Sequence, residues 1–435
     1  MSTAKRILLI SSDILPFPGL PTTGAGLRAW SLGKGLEHYG HSVHYSMPSR
    51  SLQSEWKEQI PEDVAAIAWE VGSIQPILDR VQPDVLIVCN WPVLAMIPDR
   101  LEMPVVLDQH GPHLLERHFQ QYGNVANNIR DKLHAFSKAD FFTCAGSQQM
   151  LYFYPWLVQA GFDISANAYA FIPISLSPEI QEHSTAKNDE TTFVYGGVFL
   201  PWQNPTLSLS ILVEEMERSG RGRLLFFGGK HPLYPVDTGV FESLKAQLEK
   251  SSHVYFQPMR PRDEIVEIYA HADVAIDLMD RNPERELAFT TRTVEYLWCG
   301  LPVIYNNYAE LAPLIREYNA GWALDPQNKD AIREVIRSIL EDPQQLKVCG
   351  RNAHTLVNEK LTWDRTITPL ENFVRNPIYR PNRHARFRSE NPEPSIASKS
   401  LGQLVDEAVY HYRQRGVSGL LQESYGFAKR RIKGM

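Results

Sequence analysis

Short, continuous apolar runs separated by longer helical stretches are the feature that most constrains this chain. Most of these runs do not alternate with polar positions, which is typical of strands buried on both faces of a parallel sheet. We predict strands at 6–11, 42–46, 84–89, 104–108, 141–144 and 168–174, and again at 192–197, 223–229, 254–257, 274–279, 302–306 and 321–324. The pattern therefore predicts α/β architecture.

A polar, acidic stretch at 179–192 separates the two series of strands, so we expect two tandem Rossmann-like, doubly wound domains and a helical C-terminal extension. The predicted units are an N-terminal, acceptor-binding domain 1–180, a C-terminal, donor-binding domain 181–360, a helix 361–375 that returns to the N-terminal domain, a flexible linker 376–400 and a basic amphipathic helical tail 401–435. Ligands of such folds bind beyond the carboxyl ends of the strands, which places the site in the inter-domain cleft.

Charge is distributed unevenly along the 435 residues, whose net charge is −6. Residues 376–435 carry eleven Lys/Arg against five Asp/Glu, so a basic tail follows an acidic body. This favours an anionic partner, which is either a membrane surface or the body itself. The body has no basic stripe, so nucleic acid is not an expected partner.

The N-terminal sequence and the cysteines indicate in which cellular compartment the protein is expected. The first apolar run is too short for a signal peptide, no stretch is long enough for a membrane span, and the four cysteines lack metal-ligand spacing. We expect a cytoplasmic protein without a metal site, with peripheral contact at the inner membrane face through the tail as a further expectation.

A polar step at Thr290, Thr291 and Arg292 leads into a predicted helix whose second turn holds Glu295. Free N–H groups at a helix start bind phosphate, an arginine adds permanent charge, and a glutamate can accept both hydroxyls of a ribose. The alternative is structural: Thr291 is the N-cap, and Arg292 pairs with Glu295 at i, i+3. The residues alone leave both interpretations open.

The run TTRTVEYLWCGLPVI (290–304) resembles the donor-binding segment of GT-B glycosyltransferases, specifically those of glycosyltransferase family 4. The segments 254–279 and 139–154 resemble the preceding strand–helix–strand unit and the late N-domain strand with its serine-led helix. The resemblance implies transfer of a sugar from a nucleotide-diphosphate sugar to a glycan or lipid-linked acceptor, with retention, in polysaccharide or glycoconjugate synthesis. It implies no cofactor besides the donor substrate. It also implies that Arg292 and Glu295 are functional.

The glycine-rich loop after the first strand forms a second constellation. In the family such a loop approaches the diphosphate and the acceptor, so Gly24 and Gly26 are predicted to permit close backbone approach, and Arg28 to face the cleft. A dinucleotide fingerprint is the weaker alternative, because the glycines lie far beyond the strand. For Arg28 the alternative is a surface ion pair.

His110 follows the end of the fourth predicted strand, where α/β enzymes place reactive groups. The family often has a histidine here, near the transferred sugar, so His110 joins Arg292 as a predicted catalytic residue. His113 and His118 are nearby competitors, and Asp108 is a weaker candidate.

The sequence departs from the family at the two basic residues that bind the donor phosphates. The family typically has an arginine just after the first glycine of the C-terminal domain and a lysine five positions further on. Here these positions, which follow the predicted donor-binding residue Gly197, hold Val198 and Gln203. Other cations must then neutralise the diphosphate. The candidates are Arg292, Lys230 and Arg260.

The family also has a pair of glutamates eight positions apart, and Glu295 matches the second of them. The position of the first holds Leu287, and Glu286 lies one residue away from it. Two alternatives to a transferase therefore stay open: a sugar-nucleotide epimerase, and a degenerate GT-B subunit that only binds. No two aspartates are separated by a single residue, so the metal-binding Asp–x–Asp of the other main glycosyltransferase fold is missing.

Overall fold

Two parallel sheets of six strands organise the computed structural model, which describes residues 4–53, 55–181 and 190–380. The strands of the first sheet are β1 Arg6–Ile10, β2 Ser42–Ser46, β3 Val85–Cys89, β4 Val105–Gln109, β5 Phe141–Cys144 and β6 Tyr169–Phe171. Those of the second are β7 Thr192–Val198, β8 Arg223–Gly229, β9 Val254–Gln257, β10 Val274–Asp277, β11 Val303–Asn306 and β12 Gly321–Leu324. All pairings are parallel, in the orders β2-β1-β3-β4-β5-β6 and β12-β11-β10-β7-β8-β9.

Helices connect the strands. In the first half they are α1 Gly24–His38, α2 Glu62–Ala65, α3 Ile74–Val81, α4 Trp91–Ala95, α5 His113–Phe119, α6 Val125–Ser137 and α7 Ser147–Gln159, with short 3₁₀ turns at Ser49–Gln53 and Lys57–Gln59. In the second half they are α8 Thr206–Ser219, α9 Phe241–Leu248, α10 Arg262–Ala270, α11 Pro283–Glu286, α12 Thr291–Trp298, α13 Ala312–Tyr318, α14 Lys329–Glu341, α15 Gln344–Lys360, α16 Trp363–Thr366 and α17 Thr368–Arg375.

The predicted fold class is confirmed. Every residue of β3 is buried, as expected for a continuous apolar run covered by helices on both faces. The run 168–174 forms only the short edge strand β6, whose Phe171 is half exposed. Pro173 lacks the N–H that a longer strand would use, which limits β6 on its C-terminal side.

The last helices pack against the first domain. Ile367, Leu370 and Phe373 join the buried cluster around β1 and α1, and Phe373 stacks on Phe141 with ring centroids 4.5 Å apart. The chain then follows the same domain to Arg380, whose N–H donates to Asp140 at 3.0 Å.

The remainder of the linker and the basic tail, residues 381–435, lies outside the described residues. Within the described ranges, no helix is both long and apolar enough to cross a membrane.

Contacts between the domains come from loops that follow strands, so the carboxyl ends of the two sheets face each other. The Arg262 N–H donates to the Leu20 carbonyl at 3.0 Å across this interface. Glu310, beyond β11, accepts from the backbone N–H groups of Ser147 and Gln148 at 3.0 and 3.1 Å and so caps helix α7.

Candidate active site between the two domains

The N-termini of helices α1 and α12 meet at the cleft. A Cβ placed on Gly24, the first residue of α1, would lie 3.1 Å from the Thr291 hydroxyl oxygen. The N-cap of α12 is Thr290, not Thr291, and its hydroxyl contacts the Tyr305 hydroxyl at 3.0 Å instead of capping the helix. The first amides of α12 are thus left without a side-chain cap. Two converging helix N-termini favour a bound anion.

Gly26 is required for the packing of the loop after β1 and does not provide space for a ligand. A Cβ at this position would lie 1.7 Å from the Ile14 carbonyl oxygen, so only glycine lets the loop after β1 lie against α1. Thr23 caps the helix, its hydroxyl accepting from the Gly26 N–H at 3.5 Å. The close approach predicted for Gly26 is therefore made by the backbone of the same domain.

The Arg292 side chain lies at the start of α12 and is only 13% exposed. Its Nη2 donates to the Gln203 side-chain oxygen at 2.8 Å, and its Nε lies 3.8 Å from Asp277 Oδ1. The guanidinium carbon lies 5.2 Å from the Tyr195 ring centroid. It also borders Gly197, where φ is +131° and a Cβ would lie 3.0 Å from Cζ.

Two donor atoms of Arg292 make no hydrogen bond, although Nε faces Asp277 Oδ1 at 3.8 Å. Nε and Nη1 are buried and have no hydrogen-bond partner among residues 4–53, 55–181 and 190–380. Burial alone would lower the pKa of Arg292, but the acidic groups of Tyr195 and Asp277 raise it, so the side chain stays charged. A buried guanidinium that is permanently charged and has N–H groups without hydrogen bonds can bind a phosphate oxygen.

Glu295 does not pair with Arg292. Its Oε1 accepts from Arg262 Nε at 2.7 Å, and the side chain is 13% exposed. The i, i+3 ion pair considered from the sequence is therefore absent, and Arg292 is free for another role. Whether Glu295 binds a ribose stays a prediction.

Arg28 does not face the cleft, which corrects the sequence-based placement. Its Nε and Nη2 donate to both carboxylate oxygens of Asp108 at 3.2 and 2.9 Å, and Nη1 donates to the Ile172 and Pro173 carbonyls. The side chain is 1% exposed. It is neither a diphosphate ligand nor a surface ion pair but half of a buried pair within the N-terminal domain. The reason is that β4 brings Asp108 beneath α1, a contact 80 residues apart in sequence.

His110 lies at the end of β4, and its side chain is 13% exposed. Nδ1 is 4.0 Å from Asp108 Oδ2 and has no hydrogen-bond partner in the part of the chain that the structure describes. Burial lowers the pKa of His110 to about 4, although Asp108 acts in the opposite direction. The imidazole is therefore neutral at pH 7.

Lys230 and its neighbour His231 follow β8. Lys230 is exposed at the surface, whereas His231 reaches across the interface. His231 Nδ1 accepts from the N–H groups of Leu233 and Tyr234, both at 3.2 Å, so Nε2 carries the ring proton and donates to Asp13 Oδ2 at 2.9 Å. This histidine joins the loops after β1 and β8.

Arg260 is the third cation considered from the sequence. It is partly exposed and pairs with Glu264 at 2.9 Å on helix α10, and its buried Nε makes no hydrogen bond within the described residues. Of the three predicted replacements for the missing basic pair, the structure places only Arg292 beside Gly197.

Sequence reasoning missed an ionisable cluster on helices α5 and α11. Glu284 accepts from Arg285 at 2.6 and 2.9 Å, and both are buried. Both influence the pKa of Glu116 on α5, which Glu284 raises and Arg285 lowers. The sequence signal that could have found Glu116 is its i, i+3 spacing from His113 on the helix after β4. Glu286 is exposed and pairs with Arg281, so Glu284 is the buried carboxylate in this region.

The tandem parallel sheets and their inter-domain cleft define the GT-B class of glycosyltransferase folds. Residues 177–355 match the family model described as "Glycosyl transferases group 1". The resemblance predicted from residues 290–304 is thus confirmed.

Curated relatives and solved structures agree. The chain is 24% identical over 184 residues to a D-inositol 3-phosphate glycosyltransferase of Rhodococcus jostii, a match covering 42% of this chain and 39% of that protein. It therefore spans about two fifths of the length of this curated relative.

Sucrose-phosphate synthase from Thermosynechococcus elongatus has a TM-score of 0.64 at 16% identity, covering 85% of this chain and 98% of the other. Anabaena HepE, solved in complex with UDP and glucose, has a TM-score of 0.60 at 15% identity, covering 86% and 100%. At these identities the likeness shows the fold alone.

Proposed function

We propose that this protein is a glycosyltransferase that uses a nucleotide-diphosphate sugar, with the donor diphosphate bound between the N-termini of α1 and α12. The buried Arg292 guanidinium, whose Nε and Nη1 make no hydrogen bond within the described ranges, carries the proposal. Its place beside Gly197 supplies positive charge at the strand end where the family's basic pair is missing. Gln203, which occupies one position of that pair, holds Arg292 by accepting its Nη2–H.

The proposed chemistry depends on charge that grows on the leaving diphosphate. Arg292 and the uncapped amides of α12 would stabilise that charge where water is excluded, and the loss of one such donor typically costs ~3 kcal/mol of transition-state stabilisation. We expect no requirement for a divalent metal, and transfer should proceed unchanged in EDTA. Inhibition by EDTA that added magnesium reverses would reject this part of the proposal.

Retention is the proposed stereochemical course. An inverting enzyme needs a general base for the acceptor hydroxyl, and a histidine whose pKa is about 4 is a weak base at pH 7. His110 is then better suited to hydrogen-bonding the transferred sugar as a neutral ring. Proton NMR of the first product decides the matter, because an inverted anomer would reject this role.

The first experiment is calorimetric titration of the full chain with UDP, ADP and GDP, and with their sugar conjugates. Binding of at least one nucleoside diphosphate, weakened in Arg292→Met and unchanged in Arg260→Met, is the expected result. No binding at millimolar concentration would instead support a degenerate GT-B subunit. Transfer is then assayed with glycan and lipid-linked acceptors, since polysaccharide or glycoconjugate synthesis is the proposed setting.

We further propose a cytoplasmic enzyme whose basic tail contacts an anionic membrane surface. Residues 381–435 carry most of the excess positive charge of the C-terminal region. Truncation after Arg380 preserves the contacts of that residue with Asp140 and Ala139. Co-sedimentation with anionic vesicles should require the tail, and equal binding by the full chain and the truncation would reject the membrane contact.

A further inference from the structure

Helices α5 and α11 face each other across the cleft and bring two carboxyl groups near the end of β4. Glu284 on α11 is buried and bound in a bidentate pair to Arg285. Glu116 on α5, whose side chain is 17% exposed, lies close enough to this pair for Glu284 and Arg285 to influence its pKa. The Glu284–Arg285 pair borders the diphosphate site, because Asp277 and Arg292 both influence the pKa of Arg285.

The Glu116 carboxyl lies against the backbone that follows His110. A Cβ on Gly111 would be 2.5 Å from Glu116 Oε1, and His113 Nε2 lies 3.5 Å from Oε2. The rings of His110 and His113 have centroids 6.4 Å apart. Glu116 thus lies against Gly111 and His113, the backbone and side-chain neighbours of the histidine proposed to contact the transferred sugar.

The surroundings of Glu116 favour its neutral form. Burial first, and Glu284 second, raise the pKa of Glu116 to about 8, whereas Arg285 and Arg117 act in the opposite direction. Both cations are engaged elsewhere: Arg285 by Glu284, and Arg117 by the Trp91 ring, 4.5 Å from its guanidinium carbon.

The other groups facing this cluster do not supply a compensating charge at Glu116. Burial raises the pKa of Tyr152 of α7, so this side chain is itself neutral. Lys132 of α6 acts on His113, but burial lowers the pKa of Lys132 well below its ordinary value. A neutral carboxyl offers one donor and one acceptor, which matches a sugar hydroxyl.

We propose that Glu116 is a specificity-determining residue that hydrogen-bonds a sugar hydroxyl in the cleft, opposite the Glu284–Arg285 pair. The hydroxyl belongs either to the donor sugar or to a glycan acceptor. This inference rests on the proposed glycosyltransferase function.

The test compares Glu116→Gln and Glu116→Ala in the full chain. The probe is the nucleotide sugar that gives the largest thermal shift in a panel, together with its parent nucleoside diphosphate. Glutamine keeps one donor and one acceptor without a charge, so it should stay within about threefold of wild type, whereas alanine should weaken the sugar-dependent interaction about fivefold to tenfold. Glu286→Gln, at an exposed carboxylate, is the matched control and should change nothing.

The pH dependence separates recognition from a merely structural role. In wild type, the gain in affinity of the nucleotide sugar over its nucleoside diphosphate should fall as the pH rises from 7 to 9, because Glu116 ionises and loses its donor. In Glu116→Gln the gain should be constant over this range. A parallel decline in both proteins would overturn the proposal.

Two arms identify the source of the hydroxyl. A change in nucleotide-sugar affinity assigns it to the donor, whereas an unchanged donor affinity with a raised acceptor KM assigns it to the acceptor. If wild type binds the nucleoside diphosphate and Glu116→Ala alters neither quantity, this inference fails and the proposed function stands. If wild type binds no nucleotide and transfers no sugar, the proposed function itself fails.

Discussion

The Arg292→Met substitution tests the diphosphate site most directly. Methionine keeps most of the aliphatic stem of a side chain that is 13% exposed, but it removes the guanidinium beside Gly197. The loss of one preorganised donor to a developing anion costs ~3 kcal/mol, or about 150-fold in kcat/KM. Within the described residues the neighbouring Arg285 is committed to Glu284, so it offers no ready substitute.

A graded series makes the assay interpretable. Arg292→Lys restores a charge but not the planar fork, so it should recover about tenfold of the loss. Gln203→Met removes the acceptor that holds Nη2 and should cost about fivefold, the value of one positioning hydrogen bond. Arg260→Met removes a partly exposed ion pair and should leave kcat/KM within twofold.

The assay is initial-rate kinetics with the donor selected by thermal shift, together with the melting temperature of each variant. Replacing Arg292 leaves the buried Asp277 with its hydrogen bond from Thr293 but without its neighbouring guanidinium, so the variant should also lose stability, which the melting temperature measures. A folded Arg292→Met protein with kcat/KM within threefold of wild type would refute the assignment of the leaving-group charge to this side chain.

Other consequences concern stability. Arg28→Met leaves Asp108 buried and without its cation, and it should cost about 3–5 kcal/mol of unfolding free energy in denaturant titration. Lys34→Met, at a partly exposed i, i+3 pair, should cost under about 0.5 kcal/mol. His110→Gln should lose less stability than wild type between pH 6.5 and 4, because the unfolded chain protonates this histidine near 6.5 and the folded protein only near 4. Equal pH slopes would contradict the lowered pKa. Glu310→Gln weakens the charged cap on α7 and should lower the melting temperature by a few degrees; an unchanged value would show that this inter-domain contact adds no stability.

The sequence alone predicted those features of the site that depend only on residues close together in the chain. Arg292 could be located because a polar step before a buried helix is readable without knowledge of its neighbours, and the free amides of α12 follow from that step. The role of Arg28 could not be read, because its partner Asp108 lies 80 residues away. The same holds for Glu295 and Arg262, whose pairing replaced the local ion pair considered from the sequence.

By itself, the sequence determined the two parallel sheets, since continuous apolar runs separated by helical stretches can bury both faces of a strand in few other ways. Only the tertiary structure decided which charged groups pair and which remain available to a ligand. Side-chain partners depend on strand order and on how the domains meet, so Gln203 reaches Arg292 and Glu116 approaches Arg285 only in the folded chain.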